Sequence, residues 1–174
     1  MVKNSIVWIR DDFRLQDNPA LSFATNNHEF VSAIYIYDEK VFDNTREAQK
    51  WWISKSLISL REDLIKNNIN LEIINDNQVN FFKKFKSKDI SIYWNKIYEP
   101  QELKKDKEII EELKKNKINF KFFKGNVLNE YNEITKNDGT PFKVYSPFWR
   151  NAENYYIESV PLKNKSLKKL KKIK

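Results

Sequence analysis

Two groups of charged side chains are the first candidates for chemistry in this sequence. Arg10, Asp11, Asp12 and Arg14, followed by Asp17, alternate in sign just after a short apolar run. Such a set can form a polar wall for a ligand, or an ion-pair network that fixes a loop and caps the next helix. Glu99 and Glu102 sit on one turn at the start of a long helical pattern. The helix dipole favours carboxylates at that place whether or not they bind anything.

Other chemistries are bounded by what is scarce. With no Cys and a single His, His28, the sequence offers no zinc finger, thiolate nucleophile, disulfide framework or His-based triad. Metal hydrolysis by carboxylates alone stays open. The only two glycines are Gly125 and Gly139, so neither a G-x-G-x-x-G turn nor a P-loop can be built, and NAD-dependent or P-loop chemistry is excluded. His28 falls in a polar helix-to-strand connection, where a solvated side chain is expected. Of Trp8, Trp51, Trp52, Trp94 and Trp149, the first four fall on strands or a helix stripe and are expected in the core rather than on an aromatic binding surface.

The elements that must position these residues follow from periodicity. Ser5–Arg10 and Phe30–Tyr37 are β-branched apolar runs, and the second is apolar on both faces, as central strands of parallel sheets are. Between them Asn18 and Pro19 read as N-cap and first residue of a helix. From Arg46 to about Asn67, Ile53, Leu57, Leu60 and Leu64 recur at helical spacing, with Trp52 and Ile65 expected to widen the stripe. Leu71–Ile74 reads as a strand, Val79–Phe85 as a short helix and Ile90–Trp94 as another strand. Glu99-Pro100 opens a helix to about Lys115 with Leu103, Ile109, Ile110 and Leu113 inward, and Ile118–Phe123 closes the series. Alternation of this kind predicts an α/β fold: a doubly wound, five-stranded parallel sheet, Rossmann-like but without GxGxxG, with helices on both faces. Ligands of such sheets bind at the carboxyl ends of the strands where strand order reverses, here the connections after Arg10, Tyr37 and Trp94.

With 174 residues, 40% hydrophobic and 32% charged, one domain with one core is expected. Periodicity fades after Gly125. The expected organisation is an α/β domain over residues 1–130, the start of a linker over 131–160 and a Lys-rich tail over 161–174. No run approaches the roughly 18 apolar residues of a membrane span, and no signal segment opens the chain, so the expected compartment is cytoplasmic. The net charge of +8 is concentrated in the tail. It suits weak, sequence-blind contact with a polyanion such as DNA, and is equally what an AT-rich coding bias produces.

One stretch carries a specific likeness. Trp8-Ile-Arg-Asp-Asp-Phe-Arg-Leu-Gln-Asp-Asn-Pro-Ala-Leu21 closely resembles the opening signature of the DNA photolyase and cryptochrome family. Trp52–Leu60, Tyr93-Trp-Asn-Lys-Ile-Tyr-Glu-Pro100 and Gly139-Thr-Pro-Phe-Lys-Val-Tyr-Ser-Pro-Phe-Trp149 match it in the same order. The resemblance covers the chain to about Arg150 and only the N-terminal part of the family's architecture. That part is an α/β domain holding a light-harvesting antenna chromophore, a methenyltetrahydrofolate or else a deazaflavin or FMN. In the family a helical domain that binds the catalytic FAD and the pyrimidine dimer follows it, and the expectation is that this chain lacks it.

The resemblance implies cofactor-binding roles for Gln101, in place of the family's asparagine, and Glu102, with the Asp38–Thr45 loop beside the chromophore. It implies no catalytic residue and no metal. The expected function is a deoxyribodipyrimidine photo-lyase-like light-harvesting domain for light-driven DNA repair, a lyase of a flavoprotein family. An FAD-binding domain would be supplied in trans, docking near Pro147-Phe148-Trp149, and DNA would be contacted indirectly. The alternatives are a truncated, non-functional remnant and a non-enzymatic ligand- or nucleic-acid-binding module.

Overall fold

In the computed structural model, which describes residues 3–86, 89–156 and 160–165, the apolar runs pair into one sheet. The elements are β1 (Asn4–Ile9), α1 (Pro19–Asn27), β2 (Phe30–Tyr37), α2 (Glu39–Asp43), α3 (Glu47–Lys66), β3 (Asn70–Asn75), α4 (Gln78–Lys84), β4 (Ile90–Asn95), α5 (Pro100–Lys115), β5 (Phe120–Phe123) and α6 (Tyr145–Ala152). The sheet has five parallel strands in the order β3-β2-β1-β4-β5. This is the expected doubly wound α/β architecture.

The period of two along each strand divides the core into two layers. On β1 and β2, Val7, Ile9, Val31 and Ala33 turn to one side, against Leu57, Leu60 and Leu64 of α3 and Ala20, Leu21 and Ala24 of α1. Trp8, Ile34 and Ile36 turn to the other, against Val79 and Phe82 of α4 and Ile109 and Leu113 of α5. Trp8 stands beside Ile34 and Trp94 in the parallel register and meets the Phe82 ring edge-on at 5.0 Å. Each fully buried side chain of this kind contributes about 1.5–3 kcal/mol relative to exposure.

Helix ends are built without glycine. Asn18 caps α1 by accepting the Leu21 N–H, with Pro19 in the first turn where its missing N–H costs nothing. Helices α3 and α5 end alike: Asn68 and Lys117 take φ of 60° and 55°, and the next residues, Ile69 and Ile118, donate N–H to Leu64 and Leu113. That is the Schellman arrangement, in which a buried apolar residue follows the left-handed position. It places Ile118 in the helix cap, so β5 begins at Phe120 rather than at Ile118.

Three further expectations change. Trp52 and Ile65 are 54% and 55% exposed, and Trp51 is 63% exposed, because the Ile53-Leu57-Leu60-Leu64 row alone meets the sheet and neighbouring positions turn about 100° away. Segment 38–45 holds the short helix α2, capped by the Asp38 side chain accepting the Lys40 N–H. His28 is not merely solvated: its Nε2 lies 2.7 Å from the Tyr93 hydroxyl.

By internal contacts the described chain forms two units, one of residues up to Gly125 with 162–165, the other Asn126–Pro161. In the first, segment 162–165 lies along the start of α1. Leu162 N–H donates to Asp17 Oδ1, Asn164 Nδ2 to the Leu15 carbonyl and Lys165 N–H to Thr25 Oγ1. The second holds a turn around Gly139 (φ 78°) and helix α6, which the sequence reading did not foresee. Pro147 occupies the first turn of α6, where a proline breaks no helical hydrogen bond. Beyond Lys165 the Lys-rich tail lies outside the described residues.

Candidate functional site

The strand order reverses between β1 and β4, and a crevice of about 160 Å³ opens at their carboxyl ends. Its wall includes Arg10, Asp11, Tyr35, Gln78, Glu99 and Glu102. Arg10 leaves β1 pointing into the domain and is 5% exposed. Its Nη1 donates to both carboxylate oxygens of Asp106 at 2.9 and 3.0 Å, and its Nη2 donates to Glu102 Oε2 at 2.7 Å. The guanidinium also lies over the Trp8 ring, 4.5 Å from its centre. The second oxygen of Glu102 accepts from Lys105 Nζ at 2.6 Å.

A second network ties the rest of the charged loop. Asn95, at the end of β4, accepts from the Ala20 N–H and donates to Asn18 Oδ1 and Asp12 Oδ2. Arg14 pairs with Asp12 at 3.1 Å. The alternating charges are thus an ion-pair and capping network, and Arg10 and Asp11 at one edge of it wall the crevice.

Titration follows from these contacts. Burial pushes the Glu102 carboxyl up, but the hydrogen bonds and charges of Lys105 and Arg10 outweigh it and hold the group below its usual range. Desolvation raises Asp11, the neighbouring Arg10 opposes it, and Glu102 and Glu99 add to the rise. Tyr35 is raised by burial and by the Asp11 charge.

Of the two residues singled out by resemblance, Glu102 lines the crevice, while Gln101 is exposed in the first turn of α5. Asp106, Gln78 and Asn95 were not singled out. Asp106 had a readable signal: it follows Leu103 and precedes Ile109 at helical spacing, a carboxylate on the apolar face of α5, which burial permits only with a partner. Gln78 brings its buried Oε1 to the same wall, and that atom and Arg10 Nε have no hydrogen-bond partner among the described residues.

The sequence matches the DNA photolyase family over residues 5–166. The chain belongs to that family. It is 32% identical over 150 residues to a deoxyribodipyrimidine photo-lyase of Agrobacterium fabrum, a match covering 85% of this chain and 31% of that protein. Cryptochrome-2 of Arabidopsis thaliana is 30% identical over 166 residues, covering 93% of this chain and 27% of its own length.

Among solved structures, a class III photolyase from Agrobacterium tumefaciens superposes with a TM-score of 0.82 at 26% identity, over 99% of this chain and 36% of that one. An archaeal photolyase from Sulfolobus tokodaii, solved with two FAD molecules and bearing on a novel light-harvesting cofactor, shares the fold at a TM-score of 0.81 and 22% identity. The chain therefore spans about a third of the photolyases and cryptochromes it matches, their N-terminal α/β domain. Among the described residues no helix is long and apolar enough to cross a membrane.

Proposed function

We propose that this photolyase-family domain is a light-harvesting element that holds an antenna chromophore beside the start of α5 and serves an FAD-binding photolyase domain in light-driven DNA repair. The extent of the family match carries the reading: it spans residues 5–166, the part of the architecture that in the family carries the antenna. A methenyltetrahydrofolate is the chromophore favoured here, with a deazaflavin or FMN as the alternative.

The residues fit a chromophore lying at the surface rather than one sunk in the domain. The crevice, about 160 Å³, is below the roughly 300 Å³ at which small-molecule pockets begin. Glu102 offers a carboxylate held ionised by Lys105 and Arg10, and the Lys105 side chain on its second oxygen is 40% exposed. Gln101 offers an amide with both donor and acceptor toward solvent. The bound chromophore would supply light absorption and energy transfer through space. This chain's share is to hold and orient it, which needs no acid, base or nucleophile.

A domain completing such a surface site would also dock. In the second unit α6 exposes Tyr145 and Trp149, 70% and 45% accessible and stacked at 6.3 Å, the aromatic composition of an interface anchor. DNA contact would come through the partner, with at most a weak contribution from the lysines after Pro161, and the working compartment would be the cytoplasm.

The test is sensitised emission. The chain is incubated with methenyl-folate and an FAD-loaded helical domain of a related photolyase, and the folate band is excited. Flavin emission or photoreduction that depends on this chain supports the proposal. A flavin response no larger than with folate and flavin domain alone overturns it.

A further inference from the structure

Helix α3 buries one apolar row and leaves a second one bare. Ile53, Leu57, Leu60 and Leu64 meet the sheet, while Trp51, Ile58 and Ile65 are 63%, 55% and 55% exposed. These three recur at every seventh position, almost two helical turns, so they form one line down the far side of the helix from Leu60, with about 10 Å from each to the next. A single exposed isoleucine is ordinary. Three large apolar side chains aligned at a seven-residue repeat are the seam along which a second helix packs, and among the described residues nothing covers it.

Charge decides what that second helix is. Lys55 and Glu62, both exposed, follow Trp51 and Ile58 by four residues and so lie on the same flank of the row. They stand seven positions apart, too far to pair with each other, and neither has an ion pair among the described residues. An identical helix laid parallel would set Lys55 against Lys55 and Glu62 against Glu62. Laid antiparallel, with the two copies of Ile58 meeting at the two-fold axis, it sets Trp51 of each copy against Ile65 of the other and brings each Lys55 beside the other copy's Glu62. The face is therefore complementary to itself in one orientation only, which is what an isologous dimer requires.

We propose that α3 is a self-association surface, on which two copies of this chain pair as an antiparallel dimer with Trp51, Ile58 and Ile65 as the apolar seam and two Lys55–Glu62 ion pairs along one flank. The proposal does not depend on the light-harvesting reading.

Sedimentation velocity of the full chain across a range of concentrations tests it. A reversible monomer–dimer equilibrium is expected. Ile58→Glu, which puts two carboxylates at the two-fold axis, should weaken the dimer by about tenfold or more. Lys55→Glu and Glu62→Lys should each weaken it about tenfold by making two attractive pairs repulsive, and Lys55→Glu combined with Glu62→Lys should restore it. All three positions are exposed, so circular dichroism should not change. A chain that stays monomeric at every concentration overturns the proposal, as does a dimer indifferent to Ile58→Glu or one that the double reversal leaves as weak as the single ones. A monomer whose binding to an FAD-loaded helical domain of a related photolyase is lost in Ile58→Glu also overturns it and gives the face to that domain.

Discussion

Arg10 and Asp106 stand 96 positions apart in the chain, yet one guanidinium nitrogen of Arg10 reaches both carboxylate oxygens of Asp106, at 2.9 and 3.0 Å, inside the domain. Both side chains are under a tenth exposed. The pair pins α5 to the end of β1 and so fixes Glu102, one turn earlier on the same helix, at the mouth of the crevice.

Removing Asp106 leaves the buried Arg10 guanidinium with Nη1 unpaired and only Glu102 to balance its charge. Asp106→Ala is expected to lower stability by about 3–5 kcal/mol, and replacing both residues, Arg10→Met with Asp106→Leu, to recover most of that loss. Urea unfolding of the variants gives the comparison. A loss in Asp106→Ala below 1 kcal/mol, on the scale of an exposed pair, would contradict the buried pairing.

Glu102 gives the domain a defined acid response. Its folded carboxyl titrates below the unfolded value, so the ionised form adds stability at neutral pH. That contribution declines as the pH falls below about 4.3 and is gone once the folded form is protonated too. Glu102→Gln is therefore expected to cost about 1 kcal/mol at pH 7 and progressively less below pH 4. Unfolding midpoints across pH decide it; a deficit that grows on acidification would reverse the sign.

The local elements were legible because their signals are local. The apolar runs at Phe30–Tyr37 and Ile90–Trp94, the Asn18-Pro19 helix start and the Leu57-Leu60-Leu64 row all specify structure within a few residues, and the strand–helix alternation then leaves few topologies. What stayed hidden depends on distant partners. Nothing near Arg10 announces Asp106, and nothing near His28 announces Tyr93. Trp52 was misplaced because a tryptophan beside an apolar row reads as part of it, whereas the width of the contact is set by the sheet beneath. Glu102 was singled out by the family resemblance, while its place on the crevice wall and its engagement by Arg10 and Lys105 could only be seen in three dimensions.

The layer between the sheet and helices α4 and α5 centres on Phe82, fully buried and edge-on to Trp8. Phe82→Ala is expected to cost about 3–5 kcal/mol through lost transfer energy and the cavity left behind. Phe81→Ala, on the partly buried neighbour, should cost clearly less. Chemical denaturation checks both, and equal losses would contradict the assigned layer.

Gly125 is required for closeness rather than for a turn. A Cβ there would lie 2.0 Å from the Lys96 carbonyl oxygen, at the end of the first unit's chain trace after β5. Gly125→Ala is expected to lower stability by about 1–3 kcal/mol as the backbone shifts. At Gly139 nothing lies within 4 Å of an added Cβ, and only the left-handed φ of 78° opposes one, so Gly139→Ala should cost about 1 kcal/mol. Thermal melts of the two variants separate steric from conformational cost.

The most direct measurement of the light-harvesting account is an absorption and fluorescence titration of the chain with methenyl-folate, alone and with an FAD-loaded helical domain of a related photolyase, using Glu102→Gln as control. Saturable binding that the helical domain strengthens and Glu102→Gln weakens is the expected result. Absence of binding under both conditions, or binding indifferent to Glu102, would contradict the placement of a folate antenna at the start of α5.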